Sequence, residues 1–167
     1  PWSQEVCQEF AKRHPDVFIV TTGDDFCKQW QWNGDRVLNT SGWWPFRQAL
    51  LFARYADMVV TPETGLGIGA GAYGTPKIML LTAASRKNIS RNDKNDYSLQ
   101  TDAVCSPCHR GIYNTRNCPV DDKTQLPVCV FFDKERVLER MEEIYQAKVA
   151  RKWDWDEHIK SNETVWM

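Results

Sequence analysis

The segment Met58-Val59-Val60-Thr61-Pro62-Glu63-Thr64-Gly65-Leu66-Gly67-Ile68-Gly69-Ala70-Gly71 carries the clearest chemistry in the chain. A β-branched run passes through a carboxylate, a hydroxyl and a glycine straight into a stretch of small residues. Where a strand turns into a helix at the carboxyl edge of an open α/β sheet, the first N–H groups of that helix point outward. They carry partial positive charge, which suits a phosphate. Glycines at 65 and 67 let a ligand approach the backbone, and the Thr64 hydroxyl can donate to a phosphate oxygen. The same glycines can instead serve only close packing of helix on sheet. The spacing is not that of a dinucleotide fingerprint, because Ala70 stands where its third glycine would be.

Other candidates lie at the ends of apolar runs. Asp24 and Asp25 follow Gly23, where a carboxylate can accept from ribose hydroxyls or stabilise its own turn. Ser85, Arg86 and Lys87 follow the run ending Leu81-Thr82; two cations there could neutralise a departing diphosphate or simply face solvent. Trp43 and Trp44 could flank a base, though core packing is the commoner use. The histidines, at 14, 109 and 158, assemble with no Ser/Asp or Cys set by spacing. Cys105-Ser-Pro-Cys108 with Cys118 and Cys129 gives four thiols within 25 residues. Four thiolates can close a structural zinc site, but the second pair is not CxxC, so free thiols and disulfides stay open.

These residues need a framework, and the hydropathy pattern supplies one. Helical spacing runs through Ser3–His14 and stops at Pro15. Val17–Thr22 and Met58–Thr61 are β-branched runs, and Lys77–Leu81 is almost wholly apolar; together they predict three parallel neighbours in one sheet, buried on both faces. Arg36–Asn39 is a weaker strand. Pro45 opens a helix with an apolar face of Leu50, Leu51, Phe52, Ala53 and Tyr55. Residues 67–73 read as a helix stopped by Gly74, and Asp133 as the N-cap of a closing helix bearing Val137, Met141, Ile144 and Tyr145. Between about residues 83 and 130 the pattern breaks into a long polar stretch holding the four cysteines. Strands alternating with helices predict an α/β, Rossmann-like open parallel sheet with helices on both faces. The expected organisation is one domain over residues 1–150 and a tail from 151, where Trp153, Trp155 and Trp166 stand among charges.

With 42% hydrophobic residues and a net charge of −1, the 167-residue chain can bury a core and has no global field to draw nucleic acid or anionic membrane. No run reaches the roughly 18 apolar residues of a membrane span, and no signal peptide is visible. A secreted disulfide scaffold would be shorter and richer in cysteine, so a reducing, cytoplasmic setting is expected.

The stretch PETGLGIGAGAYGTPKIMLL resembles the signature of the ADP-heptose:lipopolysaccharide heptosyltransferase family: strand, Asp-Thr-Gly, two residues, His-Leu-Ala, a small helix, Gly-x-Pro and an apolar strand. Trp2 before the first helix, the strand ending Thr22-Gly23, Ala56-Asp57 and a late Cys-x-x-Cys segment follow in family order. The resemblance spans roughly Trp2 to Ala147; Glu63 replaces the family's Asp and Ile68 its His.

It implies a GT-B fold, of which this chain is similar to the C-terminal, donor-binding lobe without its first strand. It implies a nucleoside diphosphate sugar, possibly of heptose, bound by Glu63, Thr64, Gly65, Gly67 and Ile68 with Gly23, Asp24, Asp25, Ser85 and Arg86. The acceptor, a glycan or lipid-linked sugar, and the catalytic base would belong to a missing N-terminal lobe, at or near the inner membrane face. No catalytic metal would be needed. The tail would fold back beside the sheet's exposed edge or contact a second copy. A non-catalytic nucleotide-sugar-binding module and a metal-stabilised interaction domain are the alternatives.

Overall fold

The structure is a computed structural model that describes residues 2–109, 118 and 127–151. Helix α1 (Trp2–Arg13) leads to strand β1 (Ile19–Thr21), a single 3-10 turn (Asp25–Gln29), β2 (Val37–Asn39) and α2 (Phe46–Tyr55). Then come β3 (Val59–Pro62), α3 (Gly65–Ala72), β4 (Lys77–Leu81), α4 (Arg86–Ile89), β5 (Leu99–Gln100) and, after a second 3-10 turn at Val128–Val130, α5 (Lys134–Arg151). Every strand pairing is parallel. Among the described residues no helix is long and apolar enough to cross a membrane.

Helices cover both faces, and β4 shows why. It is buried throughout, and successive side chains on a strand point to opposite faces. Ile78 and Leu80 join Val6 and Phe10 of α1 and Val137, Leu138, Met141 and Ile144 of α5 in the main core cluster. Met79 points the other way, under Gly67 of α3, and α3 in turn packs on α2. The closing helix begins as its sequence predicts: the Asp133 carboxylate accepts from Glu135 N–H at 2.9 Å. Gly74 ends α3 at φ +74°, in the left-handed region that glycine enters without strain.

Three expectations need correction. The runs at Val17–Thr22, Met58–Thr61 and Lys77–Leu81 are not all neighbours: β3 pairs with β4, but β1 pairs with β2, forming a separate two-stranded sheet. Nor is β1 a buried strand; its residues are half-buried, and Phe18 beside it is 73% exposed. A covered-strand composition is not enough when one ladder edge has no neighbour. The polar stretch from residue 83 is not wholly irregular either. It holds α4 and β5, which joins β4 through Leu80↔Leu99 and Leu81↔Gln100, with an isolated bridge at Lys77↔Asp96. The tail tryptophans lie outside the described residues.

Candidate functional site

The carboxyl ends of the parallel strands bring most of the candidate residues to one edge. Thr64, in extended conformation, caps α3: its hydroxyl oxygen accepts from Gly67 N–H at 3.3 Å and lies 2.8 Å from the Thr61 hydroxyl. Ile68 N–H donates to the Thr64 carbonyl at 3.2 Å. The remaining first-turn donors, Gly65 and Leu66 N–H, have no acceptor among the described residues. That leaves two helix N-terminal donors at the end of β3.

Glycines in α3 serve packing on three sides. A Cβ at Gly67 would sit 2.6 Å from Met79 and 2.7 Å from Thr61, one at Gly69 would run into Leu50 of α2, and one at Gly71 into the Asp93 carboxylate. Gly65 is different. A Cβ there would touch only the Phe46 ring, at 3.0 Å, and Phe46 is itself 59% exposed. Ile68, 51% exposed, lies on the open side of the same helix.

Glu63 is turned toward its neighbour. Its Oε1 accepts from Thr82 N–H, from the Thr82 hydroxyl at 3.2 Å and from Ala84 N–H at 3.1 Å. The carboxylate thereby fastens the β3–α3 turn to the β4–α4 turn, which leaves Oε2 as its uncommitted oxygen. Arg86 is likewise engaged: its Nε donates to Asp96 at 2.7 Å, so its charge is matched. Ser85 stands at the N-cap of α4 without a side-chain cap bond, and Lys87 is exposed.

At the end of β1, Asp24 caps the 3-10 turn by accepting from Cys27 N–H at 3.1 Å, the self-stabilising use of an Asp in a turn. Asp25 is exposed and pairs with Lys28 at 2.6 Å. The β2 end closes over them: Gly42 N–H donates to the Gly23 carbonyl at 2.8 Å, and Gly42 adopts φ +72°. Trp43, 62% exposed, therefore stands on the same edge. Trp44 instead packs on Phe52, with ring centroids 4.9 Å apart.

The cysteine segment is fastened to this edge from outside. Ser106 donates to the Thr82 carbonyl at 2.6 Å and accepts from Gln100 Nε2 at 2.7 Å, while His109 N–H donates to the Ala83 carbonyl at 2.8 Å. The Cys129 thiol is pushed above its ordinary value, first by burial and then by neighbouring Cys105, with smaller effects of Cys118 and Cys108. The other three cysteines are thus within electrostatic reach of Cys129. Even so, no three His, Cys, Asp or Glu side chains among the described residues are arranged to hold a metal ion.

Sequence reasoning missed Phe46, which periodicity assigns to the apolar face of α2, and the Thr82, Gln100 and Ser106 anchors. No local signal marks residues whose role comes from a turn elsewhere in the chain. Two concavities among the described residues, one past the carboxyl end of β5 beside Thr101, Asp102 and Arg136 and another beside Asp57, Asn95 and Lys148, are not lined by Thr64, Gly65 or Ile68. The α3 end is an open shelf. Comparison with known proteins gives no match to a family model, and none to a curated protein or a solved structure.

Proposed function

We propose that this chain is the donor-binding half of a glycosyltransferase, with the C-terminal lobe of a GT-B enzyme as its architecture and a nucleoside diphosphate sugar as its ligand. The observation that carries the reading is the capped N-terminus of α3. Thr64 takes up Gly67 N–H, while Gly65 and Leu66 N–H remain without an acceptor among the described residues, at an exposed glycine flanked only by the Phe46 ring. Two N–H groups free of acceptors among the described residues, at the positive end of a helix, suit the diphosphate.

In the transfer, an acceptor hydroxyl attacks the anomeric carbon, its proton goes to a base, and the bond from that carbon to the diphosphate oxygen breaks. The N–H groups stabilise the charge that the leaving diphosphate acquires. Lys87 adds a cation at the next turn. Exposed Asp25 is the candidate for the ribose hydroxyls and Trp43 for the base. Asp24, Glu63 and Arg86 hold the surrounding turns through the bonds described above. The acceptor, a glycan or lipid-linked sugar, and the base belong to a separate lobe, so these 167 residues alone should bind donor and transfer nothing.

Titration calorimetry with ADP, GDP and UDP tests the site. Gly65→Val should weaken binding at least about fivefold, roughly 1 kcal/mol, through steric exclusion at the N–H groups. Equal affinity in that variant removes the α3 site, and transfer by the chain alone removes the half-enzyme reading. One observation favours a second reading, a non-catalytic nucleotide-sugar-binding module: Ile68, exposed beside the shelf, offers no hydrogen bond where the resembled family has His. For the cysteines we propose a structural zinc on Cys105, Cys108, Cys118 and Cys129, supported by the nearness of the other three to Cys129 and by the preference of zinc for thiolate.

A further inference from the structure

The cysteine segment and the start of α3 share one piece of backbone. Residues 82–84, the turn after β4, give their N–H groups to one neighbour and their carbonyls to another. Thr82 and Ala84 N–H both donate to Glu63 Oε1. Ser106 Oγ donates to the Thr82 carbonyl at 2.6 Å, and His109 N–H to the Ala83 carbonyl at 2.8 Å. The Gln100 amide divides its two N–H bonds among Ser106 Oγ, at 2.7 Å, and the Leu81 and Ala84 carbonyls, each at 3.2 Å. The anchors are thereby tied to β5 as well.

Each side of the turn leads somewhere. Glu63 directly precedes Thr64, the N-cap of α3. Its bonds to the turn are charge-assisted and stronger than neutral ones, so a shift of residues 82–84 pulls on the backbone that runs into Gly65. On the other side, Ser106 and His109 belong to the run Cys105-Ser-Pro-Cys108-His109. Little packing holds that run in place. Val104 before it is 98% exposed, and Asp102 and Pro107 are exposed too. His109 sits at φ +51°, a conformation that a non-glycine residue keeps only when its surroundings enforce it. Two thiolates of one short Cys-x-x-Cys loop on a single zinc would enforce it. Ser106 lies between those two thiols and His109 immediately after them.

We propose that zinc on the cysteine segment sets the position of Glu63 and of the first turn of α3, acting through the shared turn at residues 82–84. Ser106 and Gln100 are the positioning residues on one side of that turn, and Glu63 on the other. The coupling rests on the zinc site proposed above. With a nucleotide at α3, it makes zinc a regulator of affinity, because a fixed turn holds Gly65 and Leu66 N–H in place before the ligand arrives. Such linkage is reciprocal, so bound nucleotide raises the affinity for zinc by the same factor.

Amide exchange followed by nuclear magnetic resonance tests the coupling, on the full chain loaded with zinc and after removal of zinc by a chelator. Without zinc the Thr82 and Ala84 amides should exchange at least about tenfold faster. Lys77 and Tyr97 amides, bonded at the far end of the β4–β5 ladder, should keep their rates. Ser106→Ala should give the same fast exchange at Thr82 and Ala84 with zinc still bound by elemental analysis. Calorimetry with ADP, GDP and UDP should show binding about tenfold weaker in both the zinc-free protein and the variant. Equal exchange with and without zinc, or slow exchange in Ser106→Ala, would overturn the proposal. So would less than about 0.1 zinc per chain after zinc is added, or faster exchange at Lys77 and Tyr97 as well, which marks general unfolding. The exchange response without binding of any nucleotide would support the coupling and remove the donor-site reading instead.

Discussion

Lys77 opens β4 with a fully buried side chain, its Nζ 2.6 Å from the Asp93 carboxylate and donating to the Gly67 carbonyl at 3.2 Å. Room for the pair exists because residue 71 is glycine; a Cβ there would lie 2.8 Å from Nζ and run into Asp93. Asp93→Ala removes the counter-charge and leaves a buried ammonium with one carbonyl. Breaking a buried pair in this way costs about 3–5 kcal/mol. Asp93 is 19% exposed, so water relieves part of the loss, and the low end, about 3 kcal/mol, is expected. For a chain of this size 1 kcal/mol moves Tm by about 2–4 °C, so the drop should be about 6–12 °C. Lys77→Met puts a flexible apolar chain of similar length in the same channel and removes the need for a counter-charge. Combined with Asp93→Ala it should recover most of the stability, because replacing both members of a buried pair is often neutral. Thermal unfolding followed by circular dichroism on the parent, the single and the double variants decides the matter. A drop under about 2 °C for Asp93→Ala, or a double variant no more stable than the single, would refute the reasoning.

Asp96 supplies a pH dependence. Burial pushes its carboxyl up, but hydrogen bonds from Ser98 and Ser90 and the Arg86 guanidinium together hold it below its ordinary 3.8. A depressed folded value contributes stability above the unfolded pKa and loses it as pH falls through the folded one. Urea midpoints should therefore fall more steeply below about pH 4 in the parent than in Asp96→Asn, and parallel profiles would discount Asp96. For the cysteines, elemental analysis of protein purified without chelator should find close to one zinc per chain, and less than about 0.1 would exclude the structural-zinc reading.

The sequence made the central element pair legible because its signals are local. Val59 and Val60 running into Thr64-Gly65, and the apolar Lys77–Leu81, read directly as strand, turn, helix and strand, although the helix starts at Gly65 and not at Gly67. Asp133 and Gly74 were legible for the same reason, since a cap depends on a few adjacent residues. Pairing partners were not. Nothing in Val17–Val20 says that its ladder runs to Val37–Asn39, with the Val20 peptide turned away from β2. Residues 99–100 escaped notice because two residues of strand have no period to detect; their place follows from Leu80 and Leu81 opposite. At the shelf, Thr64 and Gly65 were identified by type, but the commitments of Glu63 to Thr82 and of Arg86 to Asp96 arise between turns about 20 and 10 residues apart. Spacing cannot reveal a carboxylate already in use.

Helix α3 touches its surroundings with backbone on three sides, at Met79 and Thr61, at Leu50, and at the Lys77–Asp93 pair. A helix with ordinary side chains absorbs a size change beneath it by altering a rotamer. At Gly67, Gly69 and Gly71 this one has no such cushion. Enlarging any of those neighbours presses on the backbone of the helix that carries Gly65 and Leu66 N–H. The aim of those two donors thus depends on Leu50, Thr61 and Met79, packed beneath the helix. The freedom to vary Leu50, Thr61 and Met79 is correspondingly smaller than their place in an apolar interior would suggest.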